Sequence, residues 1–170
     1  QSIPLNIVAV DDCCSDNTPQ ILCDSGLPVL HVIHNSKNIG LTKSLILAMN
    51  WIKEYAECDY IISHDADDFS RPDRLLVQLE YMGNNKNVDL VNSAVWICDL
   101  YGNIISKKTS LISHKDICEA LVHKNVFYHS AVMMRRRIFD KVMYNKKHKR
   151  SQDYGLWVEC MKHKFEFGGI

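Results

Sequence analysis

The chain has no excess of either charge: 20 lysines and arginines balance 20 aspartates and glutamates, so nothing global draws it to nucleic acid. It has no apolar run approaching the ~20 residues that span a bilayer, and Gln1 opens without the basic and apolar regions of a signal peptide. Its seven cysteines include no Cys-x-x-Cys pair, and an odd number cannot close completely into internal disulfides. Structural zinc therefore lacks its ligand spacing, Cys13 beside Cys14 reads as a loop detail, and a reducing compartment fits best. Internal repeats and low-complexity tracts are missing too. What is left is an ordinary globular composition, 46% hydrophobic, over 170 residues, enough for one domain with a real core.

Against that plain background stands Asp65-Ala66-Asp67-Asp68, which follows the apolar run Tyr60-Ile61-Ile62. Two like charges about 4 Å apart repel by roughly 4 kcal/mol at an effective dielectric near 20, so three carboxylates in one loop call for a cation or for solvent. Oxygen-only ligands favour Mg²⁺ or Mn²⁺, and Mg²⁺ is commonly held by one or two carboxylates together with substrate phosphates. The competing explanation is an acidic helix entry, because Ser70 and Asp73 form a Ser-x-x-Asp pattern just before Leu75 and Leu76. A basic run, Lys146-Lys147-His148-Lys149-Arg150, is either a solvated loop or a contact for phosphates or an anionic membrane surface.

The spacing predicts strands over 6–10, 29–33, 60–64 and 90–98, with helices from Thr18-Pro19 to Gly26, from Leu41 to about Ala56, and after the acidic loop. Leu45, Ala48, Met49 and Ile52 mark the buried face of the second helix, and Leu75, Leu76, Leu79 and Met82 that of the third. Strands alternating with helices at this pace imply an α/β fold with a mostly parallel, Rossmann-like sheet flanked by helices. The later part becomes α+β: a turn at Tyr101-Gly102-Asn103 into 104–107, a helix starting at Ser113 with Asp116, a strand over 131–134, and a helix capped by Ser151 and carrying Leu156, Trp157 and Cys160. Ligands of open α/β sheets bind beyond the carboxyl ends of the strands, the edge at which Asp11, Asp12, Asn38 and the 65–68 loop are expected.

Five motifs in order extend this pattern. They are Asp11-Asp12-Cys13-Cys14-Ser15-Asp16-Asn17-Thr18, Asn38-Ile39-Gly40-Leu41, Asp65-Ala66-Asp67-Asp68 with Pro72-Asp73-Arg74-Leu75, His129-Ser130-Ala131-Val132, and Gln152-Asp153-Tyr154-Gly155-Leu156-Trp157. Together they resemble the family 2 glycosyltransferases of the GT-A fold, over almost the whole chain. The resemblance implies a nucleotide-diphosphate sugar as donor, a divalent cation (Mg²⁺ or Mn²⁺) on its diphosphate, and hexosyl-type transfer with inversion to a hydroxyl of a saccharide, lipid-linked or protein-linked acceptor. It also implies one GT-A domain, with residues 1–98 as the nucleotide-sugar half and 99–170 as the acceptor half. The expected location is the cytoplasm, at a membrane periphery where the acceptor is lipid-linked.

Residue by residue, the resemblance assigns Asp11 or Asp12 to the donor's base or ribose, against an Asx-type turn as the plain alternative. Asn38 and Gly40 would shape the loop facing the nucleotide, or simply make a turn, and Lys43 would reach a phosphate or lie on the helix surface. Asp67 would be the direct metal ligand, with Asp65 near the ribose or the metal's waters. His129 would address the diphosphate region or be structural, and His64 is expected to be a hydrogen-bonded core histidine. Asp153 is the candidate general base, held ionised by the helix N-terminus, or else a decoration of that terminus.

Three departures stand out. Gln152 replaces a usual Glu, Gly155 replaces a frequent acidic residue, and the family's first strand and its nucleotide-facing loop, which precede the segment near Asn6, are missing. The expectation is a fragment incomplete at both ends, with a truncated, non-catalytic sugar-nucleotide-binding module as the alternative function. A haloacid-dehalogenase-like reading fails because Asp65-Ala66-Asp67 is followed by Asp68 and Phe69 rather than Thr or Val.

Overall fold

The computed structural model describes residues 3–27, 30–148 and 150–170. Val29, at the head of the expected second strand, and Lys149 of the basic run lie outside them. The described residues form two compact units, 3–57 with 143–155, and 58–142 with 156–170.

In the first unit, β1 (Ile7–Asp11), α1 (Thr18–Asp24), β2 (Leu30–His34) and α2 (Leu41–Tyr55) follow the predicted alternation. β1 and β2 are parallel, and their register sets Asp11 beside His34. Pro19 occupies the first turn of α1, where its missing N–H leaves no intrahelical bond unmade. Gly40 precedes α2 at φ +88°, a conformation that glycine adopts without a Cβ penalty. The helix buries Met49, as the spacing predicts, and packs against β1.

The second unit contains β3 (Tyr60–Ile62), α3 (Arg74–Asn84), β4 (Leu90–Asn92), β5 (Val95–Cys98), β6 (Ile104–Lys108), α4 (His114–Leu121), β7 (Val132–Arg135) and β8 (Phe167–Gly169). Between the last two strands runs α5 (Gln152–Lys162), whose last seven residues belong to this unit and whose Leu156, Trp157 and Cys160 are buried. The sheet order is β3-β7-β4-β8, with β7 antiparallel to both of its neighbours and β4 parallel to β8. Three of the four strands therefore run the same way, and β7 starts at the edge where they end. Its Val132, Met133 and Met134 are fully buried, as are Leu90 and Val91 of β4.

Several local expectations give way here. The single strand expected over 90–98 breaks at Ser93-Ala94, where the Ala94 N–H donates to the Ile170 carbonyl at 2.9 Å; β4 stays in the buried sheet while β5 and β6 leave it as an antiparallel hairpin. On α3 the buried positions are Leu75, Gln78 and Met82, and Leu76 faces solvent. The Ser70/Asp73 capping pattern does not form: Asp73 is held by the Arg71 guanidinium at 3.0 and 2.6 Å, and Ser70 accepts from Arg74 at 2.9 Å. Ser113, by contrast, caps α4 as predicted, its Oγ accepting the Asp116 N–H at 3.2 Å. Gly168 and Gly169 belong to the buried strand β8: a Cβ on Gly168 would meet the Tyr81 hydroxyl and one on Gly169 the Leu111 carbonyl.

Candidate active site

In the first unit, the end of β1 places two adjacent carboxylates in different environments. Asp11, only 5% exposed, accepts the Cys14 N–H at 2.9 Å and faces His34 Nδ1 at 3.1 Å. The Cys14 contact, followed by His34, holds its carboxyl below the usual carboxylate range. Cys13, at φ +61°, closes this turn. Asp12 reaches instead across to the next loop. Its Oδ1 accepts from Asn35 Nδ2 at 2.8 Å and from the Ile39 N–H at 2.9 Å, and its Oδ2 from the Gly40 N–H at 2.7 Å. Burial works against its charge, but the Ile39, Asn35 and Gly40 donors outweigh it, and its carboxyl also lies low. Asp12 thus buckles the Asn38–Gly40 segment to the end of β1. Asn38 and Lys43 are exposed on that segment and on the first turn of α2.

The same unit holds the start of α5. Asp153 is half-buried in the helix's first turn, where the exposed N–H groups favour a negative charge. Ser151 precedes the helix at φ +54°, and its carbonyl accepts the Gly155 N–H at 3.0 Å. At Gly155 a Cβ would meet the His148 imidazole where it now lies, a side chain that can turn aside. The carbonyl of His148 in turn accepts from Thr42 Oγ1 at 2.7 Å, tying the basic run to the start of α2.

In the second unit, β3 leads into a tight turn closed by the Asp68 N–H on the Asp65 carbonyl at 3.2 Å. Asp65 is held from two sides. Its N–H donates to Ser130 Oγ at 2.9 Å, and its Oδ1 lies 3.1 Å from His129 Nδ1. The His129 hydrogen bond is the main reason its carboxyl stays below the ordinary range. His129 is 10% exposed at its side chain and Asp65 43%. Asp67 and Asp68 point into solvent, and among the described residues Asp67 makes no side-chain hydrogen bond. His64 is exposed rather than in the core, its Nδ1 2.7 Å from the Asp65 carbonyl.

The motif pattern did not disclose what supports this turn. Arg74, half-buried, donates to Ser70 Oγ, to Gln78 Oε1 at 3.2 Å, and to the carbonyls of Ser63 and Val132 at 3.4 and 3.3 Å. Gln78, with no exposed surface, passes the network on from its Nε2 to Ser93 Oγ at 2.9 Å and the Ala131 carbonyl at 2.8 Å. The signal was present as an out-of-place Gln on an apolar stripe, since a buried amide is kept only where its hydrogen bonds are met.

Among the described residues no group of three or more His, Cys, Asp or Glu side chains forms a cage for an ion. The chemistry of the donor set nevertheless fits Mg²⁺ or Mn²⁺: exposed Asp67 and the half-exposed Asp65 offer hard oxygen donors of the one-or-two-carboxylate kind that is completed by phosphates and water.

Comparison with known proteins decides the lineage. Residues 2–143 match the profile of Glycosyl transferase family 2. The chain belongs to that family. It is 35% identical over 136 residues to an uncharacterised glycosyltransferase of Methanocaldococcus jannaschii, covering 79% of this chain and 46% of that protein. It is 31% identical over 138 residues to the amylovoran biosynthesis glycosyltransferase AmsE of Erwinia amylovora, covering 79% and 48%. This family 2 chain thus spans about half the length of these relatives. Its GT-A fold is shared with S. aureus TarS, at a TM-score of 0.75 and 16% identity over all of this chain and 50% of that one. The mannosyltransferase PcManGT of Pyrobaculum calidifontis, solved with GDP-Man and Mn²⁺, matches at 0.69 and 14% over all of this chain and 47% of that one.

Proposed function

We propose that this domain transfers a sugar from a nucleotide-diphosphate sugar to an acceptor hydroxyl with inversion. The observation that carries the reading is the Asp65–Asp68 turn of a family 2 chain: Asp65 is fixed in its charged form by His129 and Ser130, while Asp67 is left open to solvent. Asp67, seconded by Asp65, would hold a divalent cation, Mg²⁺ or Mn²⁺. Bound there with the donor, it would offset the negative charge that develops on the departing diphosphate.

The chain's own groups do the rest. Asp11 is occupied by its turn, so the donor's base or ribose falls to Asp12, whose Oδ2 keeps acceptor capacity beside the Gly40 N–H. Asn38 and Gly40 form the loop presented to the nucleotide, and Lys43 is free to reach a phosphate. His129 orients Asp65 and faces the diphosphate region. Asp153, in the first turn of α5, accepts the proton of the attacking hydroxyl.

The partners belong to this proposal as well: a nucleotide-sugar donor and a saccharide, lipid-linked or protein-linked acceptor, in a cytoplasmic setting. The role of AmsE in amylovoran biosynthesis favours polysaccharide assembly. Among the described residues no helix is long and apolar enough to cross a membrane.

The test is a thermal-shift screen of nucleotide-sugars with and without Mn²⁺, followed by transfer assays. Stabilisation that requires the metal and disappears in Asp67→Asn is expected, and metal-independent stabilisation throughout would refute the metal role. Asp153→Asn is expected to keep donor binding and lose about 10²–10⁴ in transfer rate. Donor binding by the wild type without any transfer would identify a binding module instead.

A further inference from the structure

Phe69 follows the acidic turn directly, and its side chain is fully exposed. The backbone that carries it is nonetheless fixed on both sides. Upstream, the Asp68 N–H closes the turn on the Asp65 carbonyl. Downstream, Ser70 Oγ accepts from Arg74 Nη1 at 2.9 Å, and the Arg74 N–H donates to the Arg71 carbonyl at 3.2 Å. Arg74 in turn is anchored on the carbonyls of Ser63, just after β3, and Val132, at the start of β7. The hydrogen bonds that shape the acidic turn therefore also hold an apolar ring out of the fold.

A phenyl ring left in water gains from a flat, apolar cover, and its surroundings narrow what that cover is. Asp67 and Asp68, the two residues before it, are exposed carboxylates. A wholly apolar partner, an acyl chain or a protein's apolar patch, would strip water from those charges without replacing its hydrogen bonds. A pyranose meets both demands, because one face of its ring is a sheet of C–H groups and its rim carries hydroxyls that donate to carboxylates. Reach narrows the choice further. Two residues span at most about 7 Å of chain, so the ring stands beside whatever Asp67 and its cation hold. In the function proposed above that is the donor's diphosphate, and with the nucleoside end assigned to Asp12 the group left for Phe69 is the sugar on the other end.

We infer that Phe69 is the platform on which the donor's pyranose stacks, which makes it a specificity-determining residue for the transferred sugar. The class it selects is a pyranose with one unbroken C–H face, since an axial hydroxyl on that face would stand between the two rings. This assignment rests on the proposed donor chemistry, and the outcomes below tell the failure of one from the failure of the other.

The test is calorimetric titration of the wild type and Phe69→Ala, with Mn²⁺ present, using UDP-glucose, UDP-galactose, UDP-N-acetylglucosamine, dTDP-rhamnose and GDP-mannose, each against its own nucleotide diphosphate. The wild type is expected to bind at least one nucleotide-sugar more tightly than the bare nucleotide. Phe69→Ala should lower that affinity about tenfold and leave the affinity for the nucleotide unchanged. Without ligand it should melt like the wild type, because the side chain is already exposed. Phe69→Trp, which keeps a flat face, should retain the nucleotide-sugar affinity, and Phe69→Leu, which is apolar without one, should not. Absence of the gain from the sugar, or a gain that survives in Phe69→Ala, would overturn the inference and leave the donor reading standing. An equal loss for nucleotide-sugar and bare nucleotide would overturn it too, since the ring would then serve the base or the turn. So would a concentration-dependent dimer abolished by Phe69→Ala, because the ring would then be a protein contact. No Mn²⁺-dependent binding of any of these nucleotides by the wild type would sink both readings.

Discussion

Asp65 and His129 meet at 3.1 Å although 64 positions separate them in the chain. The pairing lowers the carboxyl of Asp65, and the sign of its pH dependence follows. A carboxyl whose folded pKa lies below the unfolded value of about 3.9 contributes stability that is complete above that value and is lost as pH falls through the lower folded one. Asp65→Asn should therefore melt below the wild type near neutral pH, and the gap should close on acidification below about pH 4. Melting curves of both proteins from about pH 6 to 3 test this; a gap that stays constant would mean the pair does not form.

Asp67 differs from its neighbour two residues away in having no role in holding the fold. Asp67→Asn should change stability by no more than about 0.5 kcal/mol, as is usual for an exposed side chain, while abolishing Mn²⁺-dependent stabilisation by a nucleotide diphosphate. Paired melts with and without metal and nucleotide read both quantities.

Gln78→Leu has the opposite profile. It fits the apolar stripe yet strips the Ala131 carbonyl and Ser93 of their donor and Arg74 of an acceptor. The cost of the buried groups left unpaired is about 1–3 kcal/mol. Urea denaturation should show that loss with an unchanged slope, and stability equal to the wild type would show that the amide is not structural.

Gly169→Ala tests the close approach at β8. Its Cβ would meet a backbone carbonyl, that of Leu111, rather than a side chain that can swing aside. Overpacking of this kind costs typically about 1–3 kcal/mol. A melting temperature equal to that of the wild type would count against the close approach of the Leu111 carbonyl to β8.

Much of this was legible in the sequence wherever a local rule acted alone. The apolar spacing of 41–56 yields α2 to within a residue, Ser113 with Asp116 caps α4, and the acidic turn follows β3 as the motif order implies. The losses occur where a distant group decides. Leu79 matches the period of α3 as well as Gln78 does, but only the amide can meet Ser93 and Ala131. Residues 90–98 read as one strand because periodicity does not register the bond from Ala94 to Ile170 that splits it. Gly155 reads as a departure from the family pattern, and nothing in the local sequence announces the His148 ring that lies against it.

The antiparallel entry of β7 between β3 and β4 also orders events in time. The carboxylates at 65–68 leave the ribosome long before Ser130 and His129, which hold Asp65, and β3 waits for the same segment to gain its only strand partner among the described residues. Such sequence-distant pairings slow folding, because the loop must close before its contacts form. A nascent chain halted before residue 129 would carry every acid of the turn and neither the imidazole nor the hydroxyl that shapes it.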